Sequence, residues 1–296
     1  MLAVAPSPPV AAMTETTHTS RARHGGATAE FPHARRVACG IDMTAALAEI
    51  DALPDAQWGP HFNRARHDGG WHVAALRSAP RSPLASAPGE FSADLYQDGA
   101  AMAQCPSVRS LVAAIAGDAP LKSVRVLRLA PGGTILEHTD AGVGLRHGEV
   151  RLHLPLRTHD EVFFHVGGER VPMRAGEWWY ADFSLPHRVT NRGARERLHL
   201  VADCAATPAL REAIAAGDPG TPLPEAHDPQ WQFTQFRQQV FGDPALQERL
   251  IGIRSREDFA QACVRQGRAL GRDFTEAEVL SAMACGRDAW MRQWIV

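Results

Sequence analysis

Apolar positions change their period along the chain. Residues 1 to about 35 show no period; they are rich in Pro, Ala, Thr, Ser and His, so a disordered tail is expected there. Met43, Leu47 and Ile50 then share one face of a helix predicted over Ile41 to Ala52, stopped before Pro54. Residues 70 to 77 predict a strand, and Val108, Leu111, Val112 and Ile115 line one side of a helix over Ser107 to Ala116. Beyond this the period falls to two. Ser123 to Leu129 alternates loosely; Glu149 to Leu156 alternates clearly through Val150, Leu152, Leu154 and Leu156. Further strands are predicted at Glu161–Val166, Arg170–Met173, Glu177–Ala181, His187–Thr190 and Arg197–Ala202. They are short and divided by Pro131-Gly132-Gly133, Gly167-Gly168 and Asn191-Arg192-Gly193. That spacing fits a mainly β barrel or sandwich, not βαβ units.

Leu210 to Ala216 reads as a helix leaving the barrel, and the proline-rich stretch Asp218 to Gln230 reads as a linker. After it the period is helical. Trp231, Phe233, Phe236, Val240 and Phe241 make one apolar face, and Asp243-Pro244 starts a second element with Leu246, Leu250 and Ile251. Ser255…Asp258 and Thr275…Glu278 fit helix-start boxes, in which side chains satisfy orphan N–H groups. The expected organisation is a tail over 1–35, a β domain over 36–207, a linker over 208–228 and a small helical module over 229–296.

Composition narrows the classes. The 296 residues carry 31 Lys+Arg against 33 Asp+Glu, a net charge of −2 with histidine neutral. Near-neutrality argues against a nucleic-acid partner, which usually requires a basic face. Lys122 is the one lysine, so arginine identity alone marks nothing as special. No apolar run approaches the ~18 residues needed to span a membrane. The N-terminus lacks a basic region and is broken by prolines, and the apolar stretch after Arg35-Arg36 is interrupted by Asp42, so no export signal is expected. Met13 is an alternative start. The five cysteines are scattered without a CxxC, which fits reduced thiols and a cytoplasmic protein; none sits in a catalytic motif.

Candidate chemistry rests on histidines. With 14 of them, one HxD tripeptide is expected by accident, so His138-Thr139-Asp140 matters only through its context. It follows the Pro131-Gly132-Gly133 turn and precedes the clearest strand. His187 lies 47 residues beyond Asp140, and Arg197 ten residues beyond His187. Two imidazoles and a carboxylate on one face make the facial triad of non-haem Fe(II) oxygenases. Three protein ligands leave three positions open: a 2-oxo acid fills two and O₂ the third. The distal carboxylate of 2-oxoglutarate then needs a cation at fixed reach, and a planar arginine matches it bidentately. A double-stranded β-helix, jelly-roll or cupin-like, supplies HxD on one strand, His on a distant strand and Arg on the next. The bland alternative is a set of surface or core-satisfied histidines on a β-sandwich.

His138-Thr139-Asp140, Arg151-Leu152-His153-Leu154-Pro155-Leu156, Gly176-Glu177-Trp178-Trp179, Leu185-Pro186-His187-Arg188-Val189-Thr190-Asn191 and Arg197-Leu198-His199-Leu200-Val201, taken in order, resemble the aspartyl/asparaginyl β-hydroxylase family, which includes free-proline hydroxylases. Trp58-x-x-His61-Phe62-Asn63, Gly70-Trp71 and Cys105-Pro106 add to the likeness, which covers about 37 to 205. The resemblance implies a jelly-roll Fe(II)/2-oxoglutarate dioxygenase with N-terminal helices. It implies metal ligands His138, Asp140 and His187, 2-oxoglutarate contacts from Arg151 and His153, and a carboxylate-binding Arg197. Vertebrate members lack the acidic ligand, so Asp140 places this chain with the full-triad members. The family also suggests His61 and Asn63 near the substrate. Arg125 and Arg128, just before the HxD turn, are candidates for a substrate carboxylate or for a solvated strand face. Trp178, Trp179 and Tyr180 read as packing more than as a substrate cage. The helical module resembles the Nif11-type domain, also found as a leader region of ribosomally made peptides; it reads as an accessory or dimerisation module, or as a dock for a peptide substrate. The expected function is hydroxylation of an aspartyl, asparaginyl or prolyl unit, free or peptide-borne. Rivals are a cupin-like metal-binding isomerase or hydrolase and a non-catalytic carboxylate sensor.

Overall fold

The computed structural model describes residues 31–67, 69–79, 92–223 and 228–292, with side chains to residue 284. The chain runs β1 (Ala34–Ala38), α1 (Thr44–Asp51), β2 (Trp58–Pro60), β3 (Trp71–Ser78), β4 (Gln97–Asp98), α2 (Ala100–Ala103) and α3 (Pro106–Ala116). The central strands follow: β5 (Leu121–Leu129), β6 (Thr134–His138), β7 (Glu149–Arg157), β8 (Val162–Val166), β9 (Glu169–Arg170), β10 (Trp178–Ala181), β11 (His187–Asn191) and β12 (Arg197–Ala205). Helices α4 (Pro208–Ala216), α5 (Pro229–Gly242), α6 (Pro244–Ile251), α7 (Arg256–Ala269) and α8 (Glu276–Arg292) complete it.

Every strand pairing is antiparallel. The large sheet has the order β1-β10-β7-β12-β5-β3-β2, with β4 beside β3; the small sheet is β6-β11-β8-β9. From β5 to β12 the chain crosses repeatedly between the two sheets, only β8 and β9 following each other in one of them, which is the layout of a double-stranded β-helix. The turn 130–133 makes one such crossing: Gly133 N donates to Ala130 O at 3.0 Å, and Gly132 sits at φ 73°, where a Cβ is strained.

Strand alternation divides the large sheet's side chains between two compartments. Val124, Val126, Val150, Leu152, Leu154, Trp178, Tyr180, Leu198 and Leu200 point to one face and form a core with helices α1 to α4. Leu127, Leu129, Trp179, Ala181 and Val201 point the other way and pack on Phe164, Val166 and Val189 of the small sheet. The clear apolar alternation of β7 therefore marks the face under the helices. Its intervening residues, Arg151 and His153, are buried on the barrel side. Trp178, Trp179 and Tyr180 are packing residues.

Several expectations change. Strand β1 reaches back to Ala34, inside the expected 1–35 tail, because Arg35 and Arg36 pair with Tyr180 and Trp179 on the edge of the large sheet; residues 1–30 lie outside the described residues. The first part of the expected 208–228 linker is helix α4. It does not leave the barrel but returns to it, burying Leu210 and Ile214 in the helix-side core. Of the strand expected at Arg170–Met173 only Arg170 lies in a strand, β9, because Met173 N turns back to Val171 O at 2.9 Å. Strand β6 carries His138 of the HxD, which a double-stranded β-helix places on a strand, but periodicity alone does not mark it. Its residues show no clean alternation, and its partner β11 lies some fifty residues away.

The C-terminal helices start on side-chain caps: Asp228, Asp243 and Ser255 accept from Gln230, Leu246 and Asp258 N–H groups. They hold their own apolar cluster around Phe233, Phe236, Leu246, Cys263 and Phe274. Among the described residues no helix is long and apolar enough to cross a membrane. A Cβ added at Gly267 of α7 would stand 2.3 Å from Phe274 Cε1. Gly267→Ala should therefore destabilise this cluster: overpacking of about 1–3 kcal/mol exceeds the ~1 kcal/mol helix-propensity gain of alanine. Thermal unfolding followed by circular dichroism checks it; a melting temperature at or above wild type contradicts the close packing.

Candidate metal centre

The small sheet supplies the donors. Antiparallel pairing of β6 with β11 places His138 directly opposite His187, and their ring centroids lie 4.3 Å apart. Asp140 follows β6 in a loop held by its own N–H, which donates to Phe183 O at 2.9 Å. Among the described residues, His138, Asp140 and His187 form a group whose ligand atoms all lie within 4.8 Å of one another. Each histidine uses Nδ1 on a backbone carbonyl: His138 on Leu136 O at 2.8 Å, His187 on Leu185 O at 3.0 Å. That leaves the Nε2 lone pairs available for a cation, the usual outer-shell arrangement of ligating imidazoles. Burial lowers the His187 pKa to about 4, with the Asp140 carboxylate opposing.

Asp140 is oriented from behind. Arg151 Nη1 donates to its Oδ2, while Oδ1 lies 3.7 Å from His138 Nε2. One carboxylate oxygen thus serves the arginine and the other faces the histidines. Arg151 turns its remaining donors on Asp203, Nε to Oδ1 at 2.7 Å and Nη2 to Oδ2 at 3.1 Å. Asp203 Oδ2 also accepts from Arg125 Nη1 and from Ser123 Oγ, both at 2.8 Å. Burial opposes ionisation of Asp203, but Arg125 and Arg151 outweigh it and hold the carboxyl well below its ordinary range. Burial likewise disfavours the Arg151 charge, and the two aspartates more than restore it.

His138, Asp140, His187, Arg125 and Arg151 wall a cavity that also includes His61, Asn63, Trp71, His153, Phe164, Phe183 and Arg197. Arg197 is 1% exposed. Its Nη2 donates to His199 Nδ1 at 2.7 Å, and its Nε has no partner among the described residues. Burial alone lowers its pKa, to about 9, so it stays protonated at neutral pH. His153 Nδ1 lies 3.3 Å from His199 Nδ1, and His153 Nε2 is unpartnered. Burial, then the Arg197 charge, push both imidazoles well below their ordinary pKa. His61 stacks on Trp71 with ring centroids 3.4 Å apart; burial and the Arg125 charge lower its pKa to about 3.

The structure thus gathers His138, Asp140, His187, Arg151, His153, Arg197, Arg125, His61 and Asn63 around one cavity. Arg128 is not among them. It lies on the opposite face of β5, its guanidinium 4.2 Å from the Trp58 ring centroid. Sequence reasoning missed Asp203, His199 and the wall residues Trp71, Phe164 and Phe183. Alternation along β12, from Arg197 through His199 and Val201 to Asp203, could have revealed the first two.

The donor set fits a non-haem Fe(II) ion: two imidazoles and a carboxylate, with protein on one side and cavity on the other. Arg197, buried in the wall without a carboxylate partner, fits one end of a dicarboxylate. The family model described as aspartyl/asparaginyl beta-hydroxylase matches residues 43–207. A solved oxidoreductase of the 2OG-Fe(II) oxygenase family from Burkholderia pseudomallei is 18% identical over 54% of this chain and 78% of that one, with a TM-score of 0.36. A cupin domain from Bordetella pertussis is 19% identical over 28% of this chain and 81% of its own, TM-score 0.23. An oxalate decarboxylase assignment from Thermotoga maritima is 24% identical over 29% and 67%, TM-score 0.24.

Two outcomes follow from this geometry. Asp203→Asn leaves Arg125 and Arg151 buried without their shared counter-charge, so it should cost about 3–5 kcal/mol, read as a lowered urea midpoint; a loss under 1 kcal/mol contradicts the pin. Acidification should also destabilise the fold. His153 and His199 stay neutral when folded but take up protons below pH ~6.5 when unfolded. Protons then favour the unfolded chain, by about 1.4 kcal/mol per histidine per pH unit. Urea midpoints at pH 7.5 and 5.5, a range in which ordinary carboxylates stay ionised, should fall with pH. Equal midpoints refute the neutral burial.

Proposed function

This chain belongs to the aspartyl/asparaginyl β-hydroxylase family, and from that premise we propose that it is an Fe(II)- and 2-oxoglutarate-dependent dioxygenase that hydroxylates an aspartyl, asparaginyl or prolyl unit, free or peptide-borne. One observation carries the reading: three metal-type donors and a buried arginine without a carboxylate partner share one cavity.

In this reading His138 Nε2, His187 Nε2 and Asp140 Oδ1 hold the iron. When bound, iron(II), 2-oxoglutarate and O₂ supply the oxidising power that converts a C–H bond to C–OH, with succinate and CO₂ as the coproducts. The protein's part is orientation and exclusion. Arg197 receives the distal carboxylate of the cosubstrate, and His153 Nε2 is one of the nearby buried polar atoms without a partner among the described residues. Arg151 works at one remove, holding Asp140 and bonded to Asp203, so its support of the cosubstrate is indirect. Leu127, Ile135, Phe164, Phe183 and Val189 keep the cavity apolar between these groups and exclude water.

Charge suggests the acceptor. Arg125, Arg151 and Arg197 outnumber Asp140 and Asp203 by one positive charge. A divalent cation adds two, and a dicarboxylate offsets two. The positive charge that remains favours an acceptor bringing a carboxylate of its own, received by Arg125, with His61 and Asn63 beside it. The helices of 229–296 act as an accessory module, tied to the metal-bearing strand through Arg188, which donates to Gln230 and Glu278. Free thiols at Cys39, Cys105, Cys204 and Cys263 accord with a cytoplasmic setting.

His187→Ala should lose iron binding and 2-oxoglutarate-dependent succinate release together, with circular dichroism unchanged. Iron content at the wild-type level in that variant sinks the ligand assignment. Wild-type protein that binds iron but never binds 2-oxoglutarate sinks the dioxygenase reading in favour of a metal-dependent isomerase or hydrolase.

A further inference from the structure

Three arginines line the cavity, and one is held differently. Arg125 and Arg151 are both bonded to Asp203, and Arg151 to Asp140 as well. Arg197 is equally buried, yet among the described residues no carboxylate bonds to it. Among the described residues its hydrogen bond runs from Nη2 to His199 Nδ1 at 2.7 Å. A buried guanidinium is ordinarily paired with an acid, because an uncompensated charge in a dry interior is expensive.

The partner is a neutral ring placed by packing, since its Nε2 finds no hydrogen-bond partner among the described residues. Donation into Nδ1 requires a lone pair there, so His199 carries its proton on Nε2. That ring is buried beside Phe164, with centroids 6.3 Å apart and planes 22° apart, and His153 Nδ1 lies 3.3 Å from the same nitrogen. Phe164 also lies under the guanidinium, whose carbon stands 5.5 Å from the ring centroid. Strand geometry creates the pair: Arg197 and His199 are two apart on β12, so both face the cavity side.

We propose that His199 is a positioning residue: a neutral acceptor that fixes the Arg197 guanidinium in the cavity wall without neutralising it, leaving the whole charge to a carboxylate of the incoming ligand. The inference rests on the dioxygenase reading and deepens it, since it makes His199 a determinant of selectivity for a cosubstrate with a distal carboxylate. An acid at position 199 would hold Arg197 equally well but occupy its charge. An aliphatic side chain would leave the charge but release the geometry.

The test uses full-length, metal-loaded protein with 2-oxoglutarate and its monocarboxylate counterpart 2-oxobutyrate as probes, titrated by calorimetry, alongside melting temperatures without ligand. Wild type should prefer 2-oxoglutarate. His199→Gln keeps a neutral acceptor and should bind it within a few-fold of wild type. His199→Leu should bind about tenfold more weakly, the lower end of what a hydrogen bond to a charged group is worth. His199→Asp should lose the preference for 2-oxoglutarate while its ligand-free melting temperature equals or exceeds wild type. That opposite movement of affinity and stability is what a merely structural role would not produce. Wild-type affinity in His199→Asp, or loss of binding in a stably folded His199→Gln, overturns the inference and leaves the dioxygenase reading standing. Wild-type protein that binds neither probe overturns both.

Discussion

The interior of the barrel depends on one carboxylate. Asp203, fully buried on β12, accepts from Arg125, Arg151 and Ser123. Two guanidiniums in a low-dielectric interior would repel each other and lose their hydration; a shared aspartate offsets both. The consequence extends to the candidate metal centre, because Arg151 reaches past Asp203 to Asp140 and sets which of its oxygens faces His138 and His187. The third donor is thus positioned by a chain of two ion pairs that begins on the opposite sheet. Arg197 stands outside this chain, bonded among the described residues to a neutral imidazole and to no carboxylate.

The covering helices make this arrangement possible. Helices α1 to α4 bury the apolar face of the large sheet, so its polar face can line a closed interior instead of meeting water. On the far side, the C-terminal helices lie behind the strands that carry the histidines. Arg188, beside His187 on β11 but facing outward, donates to Gln230 at the start of α5 and to Glu278 of α8. His165 Nε2 of β8 lies 2.8 Å from Asp228 Oδ2, and Asp228 also caps α5. The small sheet is therefore held between the cavity and the helical module, which limits how far His138 and His187 can drift apart.

Much of this was legible in the residues. The period-two stretches located β5, β7, β10, β11 and β12, and the order HxD, His, Arg located the donors and Arg197. Strand β1 was not legible, because Ala34–Ala38 has no alternation of its own and is extended only through pairing with β10. Strand β6 escaped for a similar reason, its partner lying far along the chain. Arg125 and Arg128 had looked equivalent; three positions apart on one strand, they face opposite sides, and only Arg125 meets the cavity.

The sequence by itself determined which side chains share a face, since alternation is a local consequence of strand geometry. It therefore grouped Arg197 with His199, and Arg151 with His153, apart from the leucines between them; Asp203, just past the strand expected at Arg197–Ala202, joined them only in the structure. It could not say which face was interior. In β7 and β12 the apolar face lies under helices contributed by residues 44–116 and 208–216, and the polar face closes over the cavity. Only the tertiary structure decided that, because burial belongs to whatever arrives from elsewhere in the chain, and a buried arginine becomes a binding group or a structural one according to whether a carboxylate arrives with it.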